Sequence, residues 1–478
     1  MQIDNDIYRK QRLENMRSLI EAGYKPFGHA FKRTGSLAEI RKNFEENKTV
    51  SVAGRLMTIR QMGKSTFADL RDGTDRFQIY VGLQIVGELP YKAFHKLDIG
   101  DHIGVAGKLF TTRTGEKTIN VESWTLLSKA LLPLPEKWHG LKDVEARYRQ
   151  RYLDLVANPE VREHFNKRSE IIREIRAFLT ERGFIEVETP MMQPQAGGAA
   201  AKPFVTNYTA LGCEMFLRIA PELYLKRLLV GGYDKIFELN RNFRNEGLSR
   251  THNPEFTMLE IYEAYSDVRG MKELVKTMIQ HVAKQVCGTL KVGNDELAVD
   301  LSGEWREVLY KDLIKEKMGD DWFNTGIEEA RKRAKSIGLE IDPSWDHLLI
   351  THEVYEKTIE KTLINPTFVM RFPSRLIPLA KTCEDDVDSA DVFELVIRGQ
   401  EVAPAYSELN DPIAQRQKLE VQAGENREKV DEDFITALEY GMPPAGGMGV
   451  GIDRLVMILL GIDSIRDVIL FPQLKPKS

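Results

Sequence analysis

The chain has 478 residues, 42% of them hydrophobic, and this length exceeds the usual size of one compact domain. Its 67 lysines and arginines nearly balance 72 aspartates and glutamates, which leaves a formal net charge of -5. These values predict two or more domains. They exclude a uniformly basic molecule, so any nucleic-acid surface must be a local patch.

The cysteine usage and the hydropathy pattern exclude further classes of protein. Cys213, Cys287 and Cys383 are too far apart for a CxxC metal knuckle and too few for a disulfide framework. The first residues are polar and charged, and no apolar stretch approaches the roughly 18 residues of a membrane span. We therefore expect reduced thiols and a soluble, cytoplasmic protein.

The N-terminal part of the sequence predicts a helical arm followed by a β-barrel. Residues 1–47 carry apolar positions at helical spacing among charges, which is typical of a peripheral helical arm. From residue 50 to about 127 the pattern changes to five short alternating runs separated by glycines. Five such strands are the count of an OB-type barrel. A proline-containing stretch at 131–140 then reads as a linker, so we expect the barrel domain at 48–145.

The remainder of the chain, 146–478, predicts an α+β domain. A helical face over residues 171–179 ends near Gly183 and is followed by a short strand. Further strands and helices alternate without a repeated βαβ unit or a GxGxxG fingerprint. This pattern favours a mostly antiparallel sheet flanked by helices over a doubly wound parallel sheet.

Three segments of this second domain resemble the three motifs of class II aminoacyl-tRNA synthetases. They are GFIEVETP at 183–190, FRNEGLSRTHNPEFTMLEIY at 243–262 and GMGVGIDRLVMILLG at 447–461. Three motifs in order are far more specific than any one alone. Within the class, the resemblance to lysyl-tRNA synthetases runs through nearly the entire chain. It implies an OB-fold anticodon-binding domain, a class II catalytic domain and an ATP-dependent lysine–tRNA ligase that works through a lysyl-adenylate.

The resemblance also implies which residues bind ATP. When an amino-acid carboxylate attacks the α-phosphate, two anions meet, so cations must stand at the phosphates. Arg244 resembles the catalytic arginine that grips the α-phosphate and the substrate carboxylate, and Arg454 the one on the γ-phosphate. Phe256 is similar to the ring that stacks on adenine, and Glu246 and His252 belong to the same nucleotide-binding unit.

Magnesium is the cofactor that the resemblance implies, because a triphosphate needs charge neutralisation and hard cations select carboxylate oxygens. Glu394 and Glu401 match the metal-holding positions of the family. Residues 398–400 between them could turn a hairpin, so the two carboxylates need not lie on opposite faces of one strand. Solvated hairpin charges are the alternative interpretation.

A lysine substrate requires carboxylates at the floor of its pocket and apolar walls around its stem. Glu222 and Glu408 fit as partners of the ε-ammonium, with Tyr262 as a hydroxyl neighbour. Glu260 and the carbonyl of Gly198 match the positions around the α-amino group. Such a floor would repel aspartate and leave asparagine unmatched.

One position departs from the family pattern. Pro404 occupies a place where many lysyl-tRNA synthetases carry an asparagine that helps to hold the substrate carboxylate. Proline offers neither a side-chain donor nor a backbone N–H, so this contact cannot exist here in the same form. We nevertheless expect lysine specificity to survive, because the acidic floor and Arg244 are present.

The barrel carries residues that match the anticodon-binding positions of the family, namely Arg60, Phe67 and Gln78. An aromatic ring, a cation and an amide together can stack on a splayed-out base and read its edge. A generic single-strand binder, with Phe67 as a core residue, is the alternative interpretation.

The resemblance implies tRNA(Lys), ATP and L-lysine as partners, with no role for a membrane or DNA, and a homodimer built through the helix before GFIEVETP. Two other functions stay open: a synthetase-like ligase that adds lysine or an isomer to a protein, and a non-catalytic RNA-binding paralogue. The barrel favours tRNA over the first, and the retained ATP-binding residues favour an enzyme over the second.

Overall fold

The computed structural model describes residues 2–135, 141–199, 201–294, 298–424 and 430–476. It divides into two compact units, the first formed by Met1–Val144 and Tyr152–Ala157, the second by Glu145–Arg151 and Asn158–Ser478. Among the described residues, no helix has both the length and the apolar character needed to cross a membrane.

The first unit contains a closed five-stranded barrel. Its strands are β1 (Thr49–Met62), β2 (Ser65–Arg71), β3 (Arg76–Gly82), β4 (His102–Thr111) and β5 (Lys117–Ser128). Its helices are α1 (Gln2–Glu21), α2 (Leu37–Lys42), α3 (Leu83–Val86) and α4 (Glu88–Phe94). The strands are hydrogen-bonded in the order β1-β2-β3-β5-β4, and β1 closes the barrel by pairing with both β2 and β4. The barrel confirms the architecture predicted from the five alternating runs.

Alternate residues of each strand point inward, and their apolar side chains fill the barrel. In β1, Val50, Val52 and Leu56 point inward and are at most 1% exposed, with the buried Gly54 in the same register, while the alternate residues face outward. Phe77 and Ile79 of β3 do the same, with no exposure at all. Burying each such side chain contributes about 1.5–3 kcal/mol. The outward-facing residues of the same strands are left free to form a binding surface.

Polar contacts tie α1 to this barrel. Arg12 donates hydrogen bonds of 3.0 Å to the carbonyl oxygens of Ala130 and Ile99. Beside it, the buried ammonium of Lys129 lies 2.9 Å from the carboxylate of Asp101. Because these groups are desolvated, their pairing is strong and directional.

The second unit contains the remaining strands and helices. The strands are β6 (Ile185–Glu186), β7 (Met192–Gln193), β8 (Val205–Tyr208), β9 (Cys213–Leu217), β10 (Lys235–Phe243), β11 (Glu255–Ala264), β12 (Lys291–Val292), β13 (Val299–Asp300), β14 (Arg306–Leu309), β15 (Thr367–Met370), β16 (Val392–Ile397), β17 (Gln400–Ser407) and β18 (Ala445–Gly451). The helices are α5 (Val144–Arg149) and α6 (Arg151–Ala157), which both include residues of the first unit, then α7 (Pro159–Glu181), α8 (Glu222–Val230), α9 (Val268–Cys287), α10 (Tyr310–Met318), α11 (Ile327–Ser336), α12 (His347–Val354), α13 (Pro412–Ala423), α14 (Glu432–Glu439) and α15 (Ile452–Leu460).

An eight-stranded sheet organises this unit, in the order β14-β15-β16-β17-β18-β11-β10-β6. Its pairs are antiparallel except β14 with β15 and β10 with β6. Helices α7, α9 and α15 pack with one face of the sheet in a continuous apolar core. The mostly antiparallel sheet flanked by helices confirms the predicted α+β class.

The sequence of α9 explains how it joins that core. Met271, Val275, Met278 and Val282 recur every three or four residues, and none of them is exposed. Asp267 caps the N-terminus by accepting hydrogen bonds from the first turn, as an Asp at this position commonly does. The resulting buried stripe faces the sheet and leaves the opposite sheet face available for chemistry.

Asp453, in the first turn of α15, joins three elements. Its carboxylate accepts a 2.8 Å hydrogen bond from the Thr257 amide of β11 and lies 2.7 Å from the Arg168 guanidinium of α7. The same guanidinium donates to the Thr257 hydroxyl at 3.0 Å. Asp453 is only 2% exposed, so these charge-assisted contacts fix the start of α15 against β11 and α7.

Candidate active site and RNA-binding surface

A cavity of about 320 Å³ is lined by residues of β11, β17 and β18 and by the loop between β10 and β11. The cavity lining contains every residue predicted to bind ATP or lysine, and one of the two predicted metal ligands: Gly198, Glu222, Arg244, Glu246, His252, Phe256, Glu260, Tyr262, Glu401, Glu408 and Arg454. The second predicted ligand, Glu394, is outside the lining. Residues that are up to 256 positions apart in sequence, from Gly198 to Arg454, therefore meet at one site.

Glycines of β18 create the floor of this cavity. Gly447 lies opposite Tyr262 of β11, and Gly449 lies opposite Glu260. A Cβ atom at Gly447 would overlap the Glu408 carboxylate and the Tyr262 ring. Only glycine leaves room for these groups, so the run GGMGVG keeps the floor open while its Met448 packs into the apolar core.

Arg244 follows directly after β10, at the start of the loop that returns to β11. Its amide donates to the Pro254 carbonyl at 2.8 Å, which closes the base of this loop. The guanidinium carbon lies 5.2 Å from the centre of the Phe256 ring, within the range of a cation–π contact. Its buried Nε has no hydrogen-bond partner among the described residues. The guanidinium is therefore positioned in the cavity with donor capacity to spare.

Arg454 extends from the first turn of α15 toward the loop between β10 and β11. One guanidinium nitrogen donates to the Glu401 carbonyl at 2.6 Å, and the other lies 3.2 Å from His252 Nε2. A guanidinium can only donate, so Nε2 must accept and the proton must sit on Nδ1. That nitrogen lies 2.8 Å from the Ser249 hydroxyl, which can accept it. Burial and the nearby Arg454 lower the pKa of His252, in agreement with a neutral ring.

The hairpin predicted between Glu394 and Glu401 forms. Arg398 and Gly399 make the turn, both with positive φ angles, 55° and 66°. Glu401 pairs with Val396, and the register then shifts by one residue. Because Glu394 and Val396 share a face of β16, this pairing brings both carboxylates to the same face of the sheet.

These carboxylates lie in an acidic environment that suits a divalent cation. Burial and the neighbouring carboxylates of Glu401 and Glu360 raise the pKa of Glu394 well above its usual range. Burial raises the pKa of Glu360 to about 7, and this side chain accepts a 2.7 Å hydrogen bond from the Glu401 amide. Sequence reasoning missed Glu360 because it lies in an irregular segment with no motif.

Among the described residues, no group of three or more His, Cys, Asp or Glu side chains is arranged to hold a metal ion by itself. Magnesium commonly takes only one or two protein carboxylates and completes its shell with phosphates and water. The pair of Glu394 and Glu401 therefore fits Mg²⁺ that arrives with a triphosphate, and it does not form a complete protein cage.

At the other end of the cavity, Glu222 and Glu408 share an ammonium that the protein itself supplies. The Nζ of Lys226 donates to Glu222 Oε1 at 2.9 Å, contacts Glu408 Oε2, and donates to the Leu379 carbonyl at 3.1 Å. Lys226 and Glu408 are not exposed at all, and Glu222 is 6% exposed. Sequence reasoning missed Lys226 because a glutamate and a lysine four residues apart on a helix usually form a surface pair.

Glu260 and Tyr262 complete the acidic end. The Tyr262 hydroxyl donates to Glu260 Oε2 at 3.3 Å. Burial, together with the charges of Glu222 and Glu408, raises the pKa of Glu260 to about 8. Burial also raises the pKa of Glu408 to about 8, although Lys226 opposes the shift. These carboxyls thus ionise fully only when more positive charge enters the cavity.

Pro404 lines the same cavity from β17. It lies opposite Glu394 of β16, and the pairing of β17 with β18 begins only at the next residue, Ala405. Proline is tolerated here because no hydrogen bond to β18 is required at this position.

The first unit carries a separate surface of outward-facing residues. Arg60, Phe67, Tyr80 and Asn120 lie directly opposite one another across β1, β2, β3 and β5. The ring centres of Phe67 and Tyr80 are 5.1 Å apart. The predicted Gln78 lies on the same face of β3 as Tyr80, and its side-chain oxygen accepts a 2.9 Å hydrogen bond from the Thr118 hydroxyl.

Phe67 is thus part of a partly buried aromatic cluster on the outside of the barrel, and the interpretation of Phe67 as a core residue is wrong. Sequence reasoning missed Tyr80 and Asn120. The alternation of β3 and β5 could have indicated them, since both occupy outward positions. The two rings and the Arg60 guanidinium form a surface suited to unstacked bases.

Comparisons with known proteins agree with both units. The family described as "tRNA synthetases class II (D, K and N)" matches residues 143–475, and "OB-fold nucleic acid binding domain" matches residues 50–127. The lysine–tRNA ligases of Moorella thermoacetica and Carboxydothermus hydrogenoformans are each 51% identical to the chain, over 100% and 98% of it and over 99% and 98% of their own lengths. That of Staphylococcus saprophyticus is 47% identical over 98% of both chains. The chain belongs to the class II tRNA synthetases, and within that class it belongs to the lysine–tRNA ligase family.

Proposed function

We propose that the chain converts ATP, L-lysine and tRNA(Lys) into lysyl-tRNA(Lys), AMP and diphosphate through a lysyl-adenylate. The observation that carries this proposal is a single cavity lined both by two arginines, Arg244 and Arg454, and by a buried cluster of three carboxyls, Glu222, Glu260 and Glu408. Lysine has an anionic carboxylate and two ammonium groups, so it matches this arrangement from end to end. Residues 48–145 would bind the anticodon, and residues 146–478 would catalyse both steps.

In the first step, an oxygen of the lysine carboxylate forms a bond to the α-phosphorus, and the bond to the β-phosphate oxygen breaks. Arg244 would neutralise the two anions that meet, since its guanidinium lines the cavity and its Nε has no hydrogen-bond partner among the described residues. Arg454 would hold the γ-phosphate, next to His252. Adenine would stack on Phe256, with Glu246 in the same loop. In the second step, a tRNA hydroxyl attacks the carbonyl and AMP leaves.

The amino-acid end would select lysine by charge. Glu222 and Glu408 would bind the ε-ammonium through carboxylate oxygens that Lys226 does not occupy, with the Tyr262 hydroxyl beside them. Glu260 and the Gly198 carbonyl would bind the α-ammonium. Both ammonium groups bring positive charge to carboxyls that are otherwise only partly ionised.

Mg²⁺ would be held by Glu394 and Glu401, and when bound it would neutralise part of the triphosphate charge. These two carboxylates lie on one sheet face beside Glu360, and excess negative charge of this kind supports the assignment.

The barrel surface would bind the anticodon, with Phe67 stacking on one base and with Arg60 and Gln78 at base edges. The protein would act as a homodimer through α7 and the strand that follows it. A reaction that uses ATP and tRNA is expected in the cytoplasm.

Exchange of labelled pyrophosphate into ATP tests the proposal. We expect exchange that depends on lysine, does not require tRNA, and is much weaker with ornithine, arginine or norleucine. Charging of tRNA(Lys) should then need the intact barrel. Exchange driven by another amino acid, or transfer of lysine to protein in place of tRNA, would contradict the proposal.

A further inference from the structure

We propose that Lys226 is a specificity-determining positioning residue, whose buried ammonium holds Glu222 and Glu408 together and sets the charge of the amino-acid end so that it requires a dicationic substrate. This inference rests on the proposed function and identifies what organises the amino-acid end of the site.

The geometry of Lys226 leaves its ammonium no freedom. The ammonium donates hydrogen bonds to Glu222 Oε1 and to the Leu379 carbonyl, and it forms an ion pair with Glu408 Oε2. It has no solvent exposure. Glu222 and Lys226 are four residues apart on α8, whereas Glu408 follows β17, so the ammonium connects two separate elements through one point.

The carboxylate oxygens of Glu222 and Glu408 that do not contact Lys226 are available to bind a substrate. Glu408 Oε1 is buried and has no hydrogen-bond partner among the described residues. It lies where a side chain at position 447 would otherwise be, on the floor of the cavity. Lys226 therefore occupies the far side of the carboxylate pair and leaves the near side to the ligand.

The formal charges then determine which ligand fits. Glu222, Glu260 and Glu408 contribute three negative charges when ionised, and Lys226 contributes one positive charge, which leaves -2. A dicationic amino acid supplies two ammonium groups and balances this charge. An amino acid with a neutral side chain supplies one, and a buried carboxylate then remains without a cation or must take up a proton, which is costly.

Without Lys226 the three carboxylates would have a formal charge of -3 when ionised. Proton uptake would then neutralise part of this charge before the substrate binds. The positive charge of Lys226 counters the effect of burial on Glu408, so its removal raises the pKa of Glu408 further above about 8. At neutral pH the carboxyl would then be protonated and would attract the ε-ammonium less.

The groups that face this cluster, and that any pH dependence involves, are Glu222 on α8, Glu260 and Tyr262 on β11, Tyr406 and Glu408 on and after β17, Lys418 on α13, and Arg244.

The first experiment compares Lys226→Met with the wild type by pyrophosphate exchange. We expect the KM for lysine to rise at least about tenfold while the KM for ATP stays within about twofold. In both proteins the lysine KM should fall as the pH rises toward about 8.5, but in the variant the fall should continue to higher pH, because Glu408 without Lys226 loses its proton only at higher pH. A change confined to general stability would not produce this separation or this pH profile.

Lys418→Met is the matched control. The Lys418 ammonium is half-buried nearby and donates to the Ala380 carbonyl at 2.8 Å, as Lys226 does to the adjacent carbonyl, and it forms no ion pair in the described part of the chain. Its loss should leave the lysine KM within about twofold.

Chemical rescue separates charge from packing. Lys226→Ala lacks three carbons and the ammonium, which n-propylammonium replaces. Adding n-propylamine should restore the lysine KM, whereas n-propanol should not. If Lys226→Met does not fold, Lys226→Ala can be purified with n-propylamine and assayed as the amine is diluted.

Wild-type exchange that does not respond to lysine would overturn the proposed function. Wild-type exchange that does respond, combined with an unchanged lysine KM in both Lys226 variants, would overturn only this inference. Equal rescue by n-propanol would also overturn it, since Lys226 would then act by volume alone.

Discussion

At the scale of single residues, the site separates into a cationic end and an acidic end, and each makes its own prediction. Arg244 and Arg454 project into the cavity from a loop start and from a helix start. Both are backed by fixed contacts, to the Phe256 ring and to the Glu401 carbonyl. Preorganised cations of this kind stabilise charge that develops in a transition state, because they need little reorganisation.

We expect Arg244→Ala and Arg454→Ala each to lower adenylate formation by about 100-fold or more, which corresponds to about 2.7 kcal/mol of lost transition-state stabilisation. Pyrophosphate exchange at saturating lysine and ATP measures this. Arg250→Ala, in the same loop but outside the cavity lining, is the control. Activity of either variant within tenfold of the wild type would show that the assigned phosphate contacts are wrong.

The acidic end predicts a pH dependence of lysine binding. Burial and neighbouring acids raise the pKa of Glu260 to about 8, so below that pH this carboxyl is partly protonated in the free protein. A bound ammonium favours the ionised form and lowers this pKa, so binding must release protons. Lysine affinity should therefore increase as the pH rises from about 6.5 to 8.5.

Calorimetry of lysine binding in buffers of different ionisation enthalpy measures that release. Near neutral pH the expected result is a net release of protons that disappears at higher pH. Glu260→Gln should reduce the release and weaken binding together. Lysine binding without proton transfer in this range would contradict the charge assignment.

At the scale of elements, β18 contributes to the binding site because its glycines have no side chains. Gly447 leaves space that the Glu408 carboxylate and the Tyr262 ring occupy. Gly449 is less constrained, because the closest atom to an added Cβ is the terminal methyl of Met258, which can move. The two glycines are therefore a natural pair for comparison.

Gly447→Ala should raise the lysine KM by at least about tenfold, because the added methyl group displaces a buried carboxylate. Gly449→Ala should have a smaller effect on the same constant. Pyrophosphate exchange and thermal unfolding of both variants measure binding and folding separately. A larger effect on lysine binding at position 449 than at position 447 would be incompatible with this account of the floor.

The aromatic residues on the outer face of the barrel lead to a prediction about tRNA charging. Phe67 and Tyr80 stand side by side on neighbouring strands, so either can stack on a base. Phe67→Ala should weaken tRNA charging by about 1–3 kcal/mol in kcat/KM and leave tRNA-independent exchange nearly unchanged. Tyr80→Ala should act in the same direction. Ile85→Ala, an exposed apolar residue of the same unit on α3, is the control. Equal losses in charging and in exchange would indicate damage to folding.

At the scale of the whole molecule, the proposed homodimer can be tested by dilution. Ile185 and Met192, just after α7, are 54% and 53% exposed. Apolar residues at this exposure are consistent with a surface that a second copy covers. Sedimentation should show a dimer at assay concentrations, with exchange activity falling as it dissociates. A fully active monomer would be the opposing result.

The sequence predicted the fold class, the five strands of the barrel and the residues of the motifs, because periodicity and motif spacing are local properties. It could not supply the register. The pairing of Val396 with Glu401 decides that two carboxylates share a face, and such pairing between strands is not a local property of the sequence. Nor could it identify Lys226 or Glu360, whose importance arises only because burial places them beside acids from distant segments.

Asp453 and Arg454 are consecutive residues of α15 whose side chains contact different parts of the protein. Asp453 contacts α7 through Arg168 and β11 through Thr257, whereas Arg454 contacts the Glu401 carbonyl and His252. A shift of α7 along its axis would therefore be transmitted through one ion pair to the backbone that carries the γ-phosphate arginine. If α7 forms the dimer contact, subunit association and ATP binding are coupled through the Arg168–Asp453 ion pair and the adjacent residue Arg454. Arg168→Lys would loosen that link without removing its charge, and it should weaken the dependence of ATP binding on protein concentration.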